Sequence, residues 1–293
     1  MRREDIKTFT EMNFLKFTGI ALAAVACGAG FVSCRDDDDD NNVPGGGNNP
    51  GVVVNPSNVF TAGLPSKVGA LNIIKGADGR VVSMNDSEDG IRITFAYPGT
   101  GRADSYDVVM QVEDDEDRYV FNLLLNDAGF TKYCRQIESD GDIEEWWFEY
   151  NSDGRLTKMK RTEGGNEVTD ITYTDGNVTA VKVRSEEDNC GGDYKIGYGS
   201  SAIENKGCIM LFDNTFGIDM DEMEYAYFAG LLGKATRQLP VSNDYVRFDP
   251  EEDTYSWNKT FSWTLNAGNM PIKLTTVSTD EWGSEEETFD FAW

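Results

Sequence analysis

An all-β fold is predicted by three observations. Glycine-centred turns recur at Gly79, Gly101, Gly129, Gly154 and Gly176, which are 22, 28, 25 and 22 residues apart. Between them apolar and polar residues alternate, the signature of strands with one buried face. Aromatic residues, which favour a pleated half-buried surface, reach 12% of the 293 residues. The clearest unit is FEYNSDGRLTKMKR, Phe148 to Arg161: Asn151 and Asp153 can bond their own backbone, Gly154 accepts positive φ, and the flanks supply two strands. GADGRVVSM overlays NSDGRLTKM, so the hairpin is repeated. The expected architecture is all-β: a long antiparallel meander forming a strongly curved or half-barrel sheet, with one amphipathic helix packed on its apolar face.

In chain order, residues 1–33 read as a signal peptide. Arg2, Arg3, Lys7 and Lys16 precede an uncharged run from Phe17 to Ser33, rich in small residues and too short for a transmembrane helix. The run ends FVSC, and Cys34 is followed by Arg35 and five aspartates. This resembles the lipobox and acidic export signal of surface lipoproteins from gut anaerobes, in which the cysteine is acylated, with palmitate among the expected chains, and carried to the external face of the outer membrane. Cys27 is a rival acceptor; Cys34 is preferred because the acidic run starts two residues later. Residues 34–57 form the acylated cysteine and a Gly/Asn-rich tether of about 25 to 30 Å mean span. The expected localisation is the outer membrane, lipid-anchored and exposed at the cell surface.

Residues 58–293 read as a single β domain. Ile91, Ile93, Phe95 and Tyr97 share one face, as do Tyr119, Phe121, Leu123 and Leu125, then Trp146, Phe148 and Tyr150. Asp219 to Gly233 breaks the pattern: Asp219 is placed as an N-cap and Glu222 at the capping-box position, with Met220, Met223, Tyr227 and Leu231 at helical spacing. This predicts a helix of about 14 residues. Alternation then resumes with Tyr255, Trp257, Phe261, Trp263 and Leu265, and with Phe289, Phe291 and Trp293.

Charge and composition exclude several functions. The net charge of −26 repels nucleic acid, and the absence of histidine removes the usual catalytic triads and His-ligated zinc sites. No catalytic constellation is found, so no enzyme is expected; a carboxylate-based hydrolase would need only two well-spaced acids, which 52 acidic residues supply by chance. Acidic clusters at Glu113 to Asp117, Glu138 to Glu145, Glu186 to Asp188, Asp249 to Asp253 and Glu285 to Glu287 are read as solvated loop ends, so no metal or cofactor is assigned. Cys134, Cys190 and Cys208 make no disulfide framework; Cys190 and Cys208 could pair if their strands are neighbours, but buried free thiols are the expected state. The candidate binding residues are Trp147, Glu145 and Glu149: Trp146 and Trp147 must point to opposite faces, which puts Trp147 among acids on the polar face, where an indole can stack on a sugar.

The lipobox, the DGRLTKM hairpin, NKGCIMLFD (Asn205 to Asp213) and EYAYFAGLLGKATRQLP (Glu224 to Pro240) together resemble an uncharacterised gut-bacterial lipoprotein family, a domain of unknown function with a porin-like, many-stranded β fold. The resemblance covers residues 60–293 and implies no catalytic residues. The expected function is a binding or interaction module, monomeric, for a glycan or peptide. The alternatives are an outer-membrane pore, suggested by the terminal aromatic in FDFAW, and a passive structural or adhesive component.

Overall fold

The computed structural model describes residues 54–98, 106–114, 117–250 and 255–293. The expected signal peptide, Cys34 and the tether as far as residue 53 lie outside them. Sixteen strands follow one another: β1 (Lys67–Val68), β2 (Leu71–Lys75), β3 (Val81–Asp86), β4 (Arg92–Ala96), β5 (Val108–Glu113), β6 (Arg118–Leu125), β7 (Thr131–Ile137), β8 (Ile143–Tyr150), β9 (Leu156–Arg161), β10 (Glu167–Thr174), β11 (Asn177–Ser185), β12 (Gly191–Gly197), β13 (Ser242–Phe248), β14 (Ser256–Leu265), β15 (Pro271–Asp280) and β16 (Gly283–Ala292). Each pairs antiparallel with its sequence neighbours, and β1 pairs with β16 through Lys67 to Ala292 and Val68 to Phe291.

The sheet therefore closes into a 16-strand barrel, which corrects the expected half-barrel. Closure depends on a two-residue strand, Lys67–Val68, too short to show any alternation. Every sheet edge is consumed, so none is left open to another chain. The domain also begins earlier than expected. Val54 is buried, Asn55 caps a 3-10 turn over Pro56–Asn58, and Pro56 packs on Gly230, so the last residues assigned to the tether belong to the core.

The apolar face is the inside. Met84, Ile93, Met110, Phe121, Leu123, Trp146, Met159 and Val181 are at most 1% exposed and form one cluster with residues of the long connection between β12 and β13, numbered 198–241. That connection is a plug. It contains α2 (Phe212–Phe216), a 3-10 turn at Asp221–Glu224 and α3 (Tyr225–Phe228); a further short helix, α1 (Glu163–Asn166), lies between β9 and β10. The predicted single helix over Asp219–Gly233 is thus replaced by short pieces. Every residue from Ala226 to Gly233 is buried, leaving no polar face for an amphipathic helix, and Gly230 (φ +81°) and Gly233 (φ +85°) turn the chain left-handed. The expectation that this segment fills the apolar face holds. Tyr227 is its hub: its rings meet Phe60, Phe212 and Phe228 at 5.3 to 5.5 Å, and its hydroxyl donates to the Cys208 carbonyl.

Irregular backbone inside a core must find partners. Here the turns that revealed the fold provide them: Lys234 N–H donates to the Gly154 carbonyl and Arg237 N–H to that of Gly176, both at the Asp-Gly end of the barrel. The plug enters at that end, reaches the opposite rim with residues 212–224, and returns.

A candidate binding site at the acidic end of the barrel

The opposite rim is built from the connections that follow the odd-numbered strands β1 to β15. All but the Gly69–Ala70 turn after β1 contain acidic residues, and none contains lysine or arginine. The acidic clusters scattered along the sequence are thereby gathered at one end of the fold. Such an end carries a strong negative potential that favours neutral or cationic ligands over anionic ones.

Just inside this rim, the wall of β12 to β14 carries a row of aromatic rings. Register places Tyr194, Tyr245 and Trp257 side by side across three strands. Tyr194 and Tyr245 have centroids 4.8 Å apart, and Tyr245 stacks on Trp257 at 5.1 Å with 20° between planes. Tyr255, two residues before Trp257 and on the same face, stacks on Trp282 of the β15–β16 turn at 5.3 Å. Trp282 is 61% exposed, whereas Tyr245 is buried. The row thus runs from the core out into solvent.

Glycines make the inner end of this row fit. A Cβ on Gly192 would lie 2.2 Å from the Tyr245 ring, and one on Gly217 would lie 2.0 Å from that of Tyr194. Gly217 also ends α2 with φ +65°, so both space and backbone conformation require glycine there.

Polar groups surround the rings. The Lys259 ammonium lies 5.2 Å from the Trp257 centroid. Asn214 of the plug donates to Glu287 on β16 at 3.0 Å. Burial raises the Glu287 carboxyl, with the Lys259 charge and the Asn214 hydrogen bond opposing. Tyr255 donates to Asp280 at 3.2 Å; burial and that carboxylate push its phenol up to about 12, so it remains a donor. Aromatic faces flanked by hydrogen-bonding side chains match a pyranose, which has an apolar C–H face and hydroxyls around its edge.

The residues expected from the sequence sit elsewhere. Glu145, Trp147 and Glu149 lie on the outer face of β8, opposite buried Trp146, as alternation predicts. Trp147 is half-buried, its ring tilted against Tyr133 at 5.8 Å, and Tyr133 donates to Glu145. Glu149 is exposed, with Lys158 as its cross-strand neighbour. The structure thus links Trp147 and Glu145 through Tyr133 on the outer wall of the barrel. Tyr255 and Trp257 were legible only as core, because alternation cannot show that a strand outruns the plug; Trp282 carried no signal beyond an aromatic in a turn. Cys134, Cys190 and Cys208 are all free thiols.

At the Asp-Gly end a shallow groove runs between Asn151, Asp153, Arg155, Asp175 and Arg237. Its guanidinium groups are already engaged: Arg155 donates to the Ala235 carbonyl and Asp153, and Arg237 to the Asp175 carbonyl. The acidic end, with its row of rings, is therefore taken as the candidate site.

Fold and site together define a plugged, apolar-in antiparallel β-barrel with an aromatic-lined acidic mouth. The chain belongs to the family described as "Domain of unknown function (DUF4595) with porin-like fold", which matches residues 74–273. Similar solved structures include a porin-like protein from Bacteroides uniformis, 16% identical, with a TM-score of 0.50 over 76% of this chain and 89% of that one. Another is a porin-like protein from Bacteroides vulgatus, 11% identical, with a TM-score of 0.54 over 78% of this chain and 98% of that one. At these identities the likeness is one of fold. No curated protein matches the chain.

Proposed function

We propose that the chain is the folded domain of a surface-exposed outer-membrane lipoprotein, anchored through lipid on Cys34, that binds neutral glycans at the acidic mouth. The observation that carries the binding assignment is the continuous ring row from Tyr194 to the exposed Trp282, set inside an acid-rich rim. The reading assigns binding and no catalysis.

A membrane-spanning barrel needs an apolar outer band. The outward positions here include Arg92, Lys158, Lys160, Asp170, Lys182, Glu286 and Asp290, while the inward ones hold the core. The terminal aromatics that favoured a pore are used internally: Phe291 is buried against Trp263, and the Trp293 indole donates to the Pro271 carbonyl. These features support a barrel held in water by its anchor.

The test is calorimetric titration of detergent-free protein with neutral oligosaccharides and with sulfated or sialylated ones. Saturable binding of a neutral glycan is expected, weakened about tenfold or more by Trp282→Ala or Trp257→Ala, since stacked aromatics are worth about 1 kcal/mol each and more at binding hot spots. Equal affinity for acidic glycans, or binding indifferent to both substitutions, would remove the mouth as the site. A protein that stays in solution only with detergent would return the pore.

A further inference from the structure

A second feature of the acidic end lies away from the aromatic row, between the plug and the wall of β8 to β10. Glu144 was read from sequence as part of a solvated acidic cluster. It instead points inward from β8, is 4% exposed, and both its carboxylate oxygens are buried with no hydrogen-bond partner. Leaving such a group unpaired in a core is costly. Two further carboxylates converge on it: one oxygen from each of Glu144, Glu163 and Asp221 lies within 4.8 Å of the other two.

Three separate parts of the fold deliver these groups. Thr162 N–H donates to the Glu145 carbonyl, and Glu145 N–H donates to the Thr162 hydroxyl, which pins the start of α1 to β8 and sets Glu163 beside Glu144. Asp221 comes from the plug at φ +43°, a left-handed conformation that Asp tolerates better than most residues. Its N–H donates to Asp219, and Arg161 of β9 donates to both aspartates while facing Glu167. Five carboxylates, Glu144, Glu163, Glu167, Asp219 and Asp221, therefore surround one guanidinium. One guanidinium cannot balance five carboxylates, and a divalent cation would offset the remainder.

We propose that Glu144, Glu163 and Asp221 form a calcium site that staples the plug to the barrel wall. The donor set is all oxygen, which selects a hard cation. Calcium suits carboxylates gathered from a strand, a turn and an irregular plug, because it accepts variable geometry and bidentate ligands, with water filling the remaining positions; magnesium demands a near-ideal octahedron. Zinc lacks a soft ligand here. Asp221 and Glu163 retain solvent exposure, which leaves a path for entry.

The experiment uses chelator-stripped protein, titrated with calcium and, separately, with magnesium at matched ionic strength. One calcium per chain is expected, with the unfolding midpoint raised by roughly 5 to 10 °C at a hundredfold excess over the dissociation constant. Terbium in place of calcium should luminesce through Trp146, whose ring lies 5.2 Å from the Arg161 guanidinium in the same cluster. Glu144→Gln should abolish the calcium response yet leave the calcium-free protein at least as stable, because it removes an unpaired buried carboxylate. Glu163→Gln, at an exposed position, provides a second variant that folds regardless and should weaken calcium binding at least tenfold. Glu186→Gln, in an exposed outer pair with Lys160, should change nothing. No saturable calcium binding, an equal response to magnesium, or full calcium binding by both Glu144→Gln and Glu163→Gln would overturn the site.

Discussion

The two ends of this barrel handle charge in opposite ways. At the Asp-Gly end each acidic residue described in contact with a cation has it close in sequence: Asp78 with Arg80, Asp153 with Arg155. Those turns also receive the returning plug through their carbonyls. At the other end acids accumulate without basic residues in the connecting loops, and just below the rim Arg161 faces Glu167, Asp219 and Asp221 together. Local pairing closes the fold at one end. At the other, Arg118, Lys160 and Arg247 reach Glu113, Glu186 and Asp249 from the strands while the loops themselves carry no basic residue, and this acid-rich rim coincides with the exposed Trp282 ring.

The contrast can be broken most severely at the two arginines. Arg161 has a side chain 8% exposed among several carboxylates, whereas Arg155, itself 13% exposed, meets a single aspartate that is 71% exposed and the Ala235 carbonyl. Removing one partner of a buried charge network costs about 3 to 5 kcal/mol, and removing an exposed pair about 1 or less. Arg161→Met should therefore lose more stability than Arg155→Met, which gives up one solvent-exposed charge partner and the Ala235 hydrogen bond, in urea unfolding with chelator present. Equal losses would mean that the charge at the acidic end is relieved by solvent.

Glycines at the two ends offer the next test. Gly79 sits in an open turn with φ +82° and nothing near its Cβ position, so alanine there meets only backbone strain, about 1 to 2 kcal/mol. Gly217→Ala adds a collision with Tyr194 to the same strain and should cost about 2 to 4 kcal/mol. It should also shift the near-ultraviolet circular dichroism of the tyrosine and tryptophan row, which Gly79→Ala should leave intact.

How much of this was written in the sequence follows from the range of the interactions involved. Asp-Gly turns and alternation are local, so the meander and its wet and dry faces were legible, and Trp146 and Trp147 point to opposite faces as their adjacency requires. Closure is a property of the whole sheet, and its last link is too short to carry a pattern. The plug misled because helical spacing of Met220, Met223, Tyr227 and Leu231 describes one buried stripe, while the barrel buries the segment on every side. Acidic runs were visible, but only the alternation of connections between two ends brings them to one rim. Glu144 was masked by its neighbours: it stands two residues before Trp146 and so in phase with the buried face, but it was read with the acidic run beside it as a solvated loop end.

Titration should also separate the ends by sign. Glu224, in the plug near the acidic rim, accepts the Phe212 N–H, yet burial first and Asp213 second push its carboxyl up to about 8. A carboxyl raised on folding favours the protonated native state, so its contribution is intact below the ordinary carboxylate range and is lost as pH rises toward 8. Asp78 is the reverse: hydrogen bonds from Arg80 lower it, so its contribution is present at neutral pH and lost on acidification. Glu224→Gln should therefore flatten the decline in melting temperature between about pH 5 and pH 8, while Asp78→Asn should lower the melting temperature evenly across that window and lose its effect on further acidification. A decline unaffected by Glu224→Gln would assign it to the remaining acids of the rim.

The smallest effect compares two exposed tryptophans. Trp293 at the Asp-Gly end is 36% exposed, donates to Pro271, and lies so close to Gly207 that a Cβ there would be 2.4 Å from its ring. It is part of the closure, and Trp293→Ala should cost about 1 to 3 kcal/mol through lost packing and a lost hydrogen bond. Trp282 is 61% exposed and contacts chiefly Tyr255, so Trp282→Ala should change stability by no more than about 0.5 kcal/mol. An indole that contributes so little to folding and yet extends a row of stacked rings into solvent is placed to contact something other than its own chain. If Trp282→Ala instead destabilises the protein as much as Trp293→Ala, the aromatic row is a structural spine of the β13 to β16 wall, and the mouth loses its claim as a binding surface.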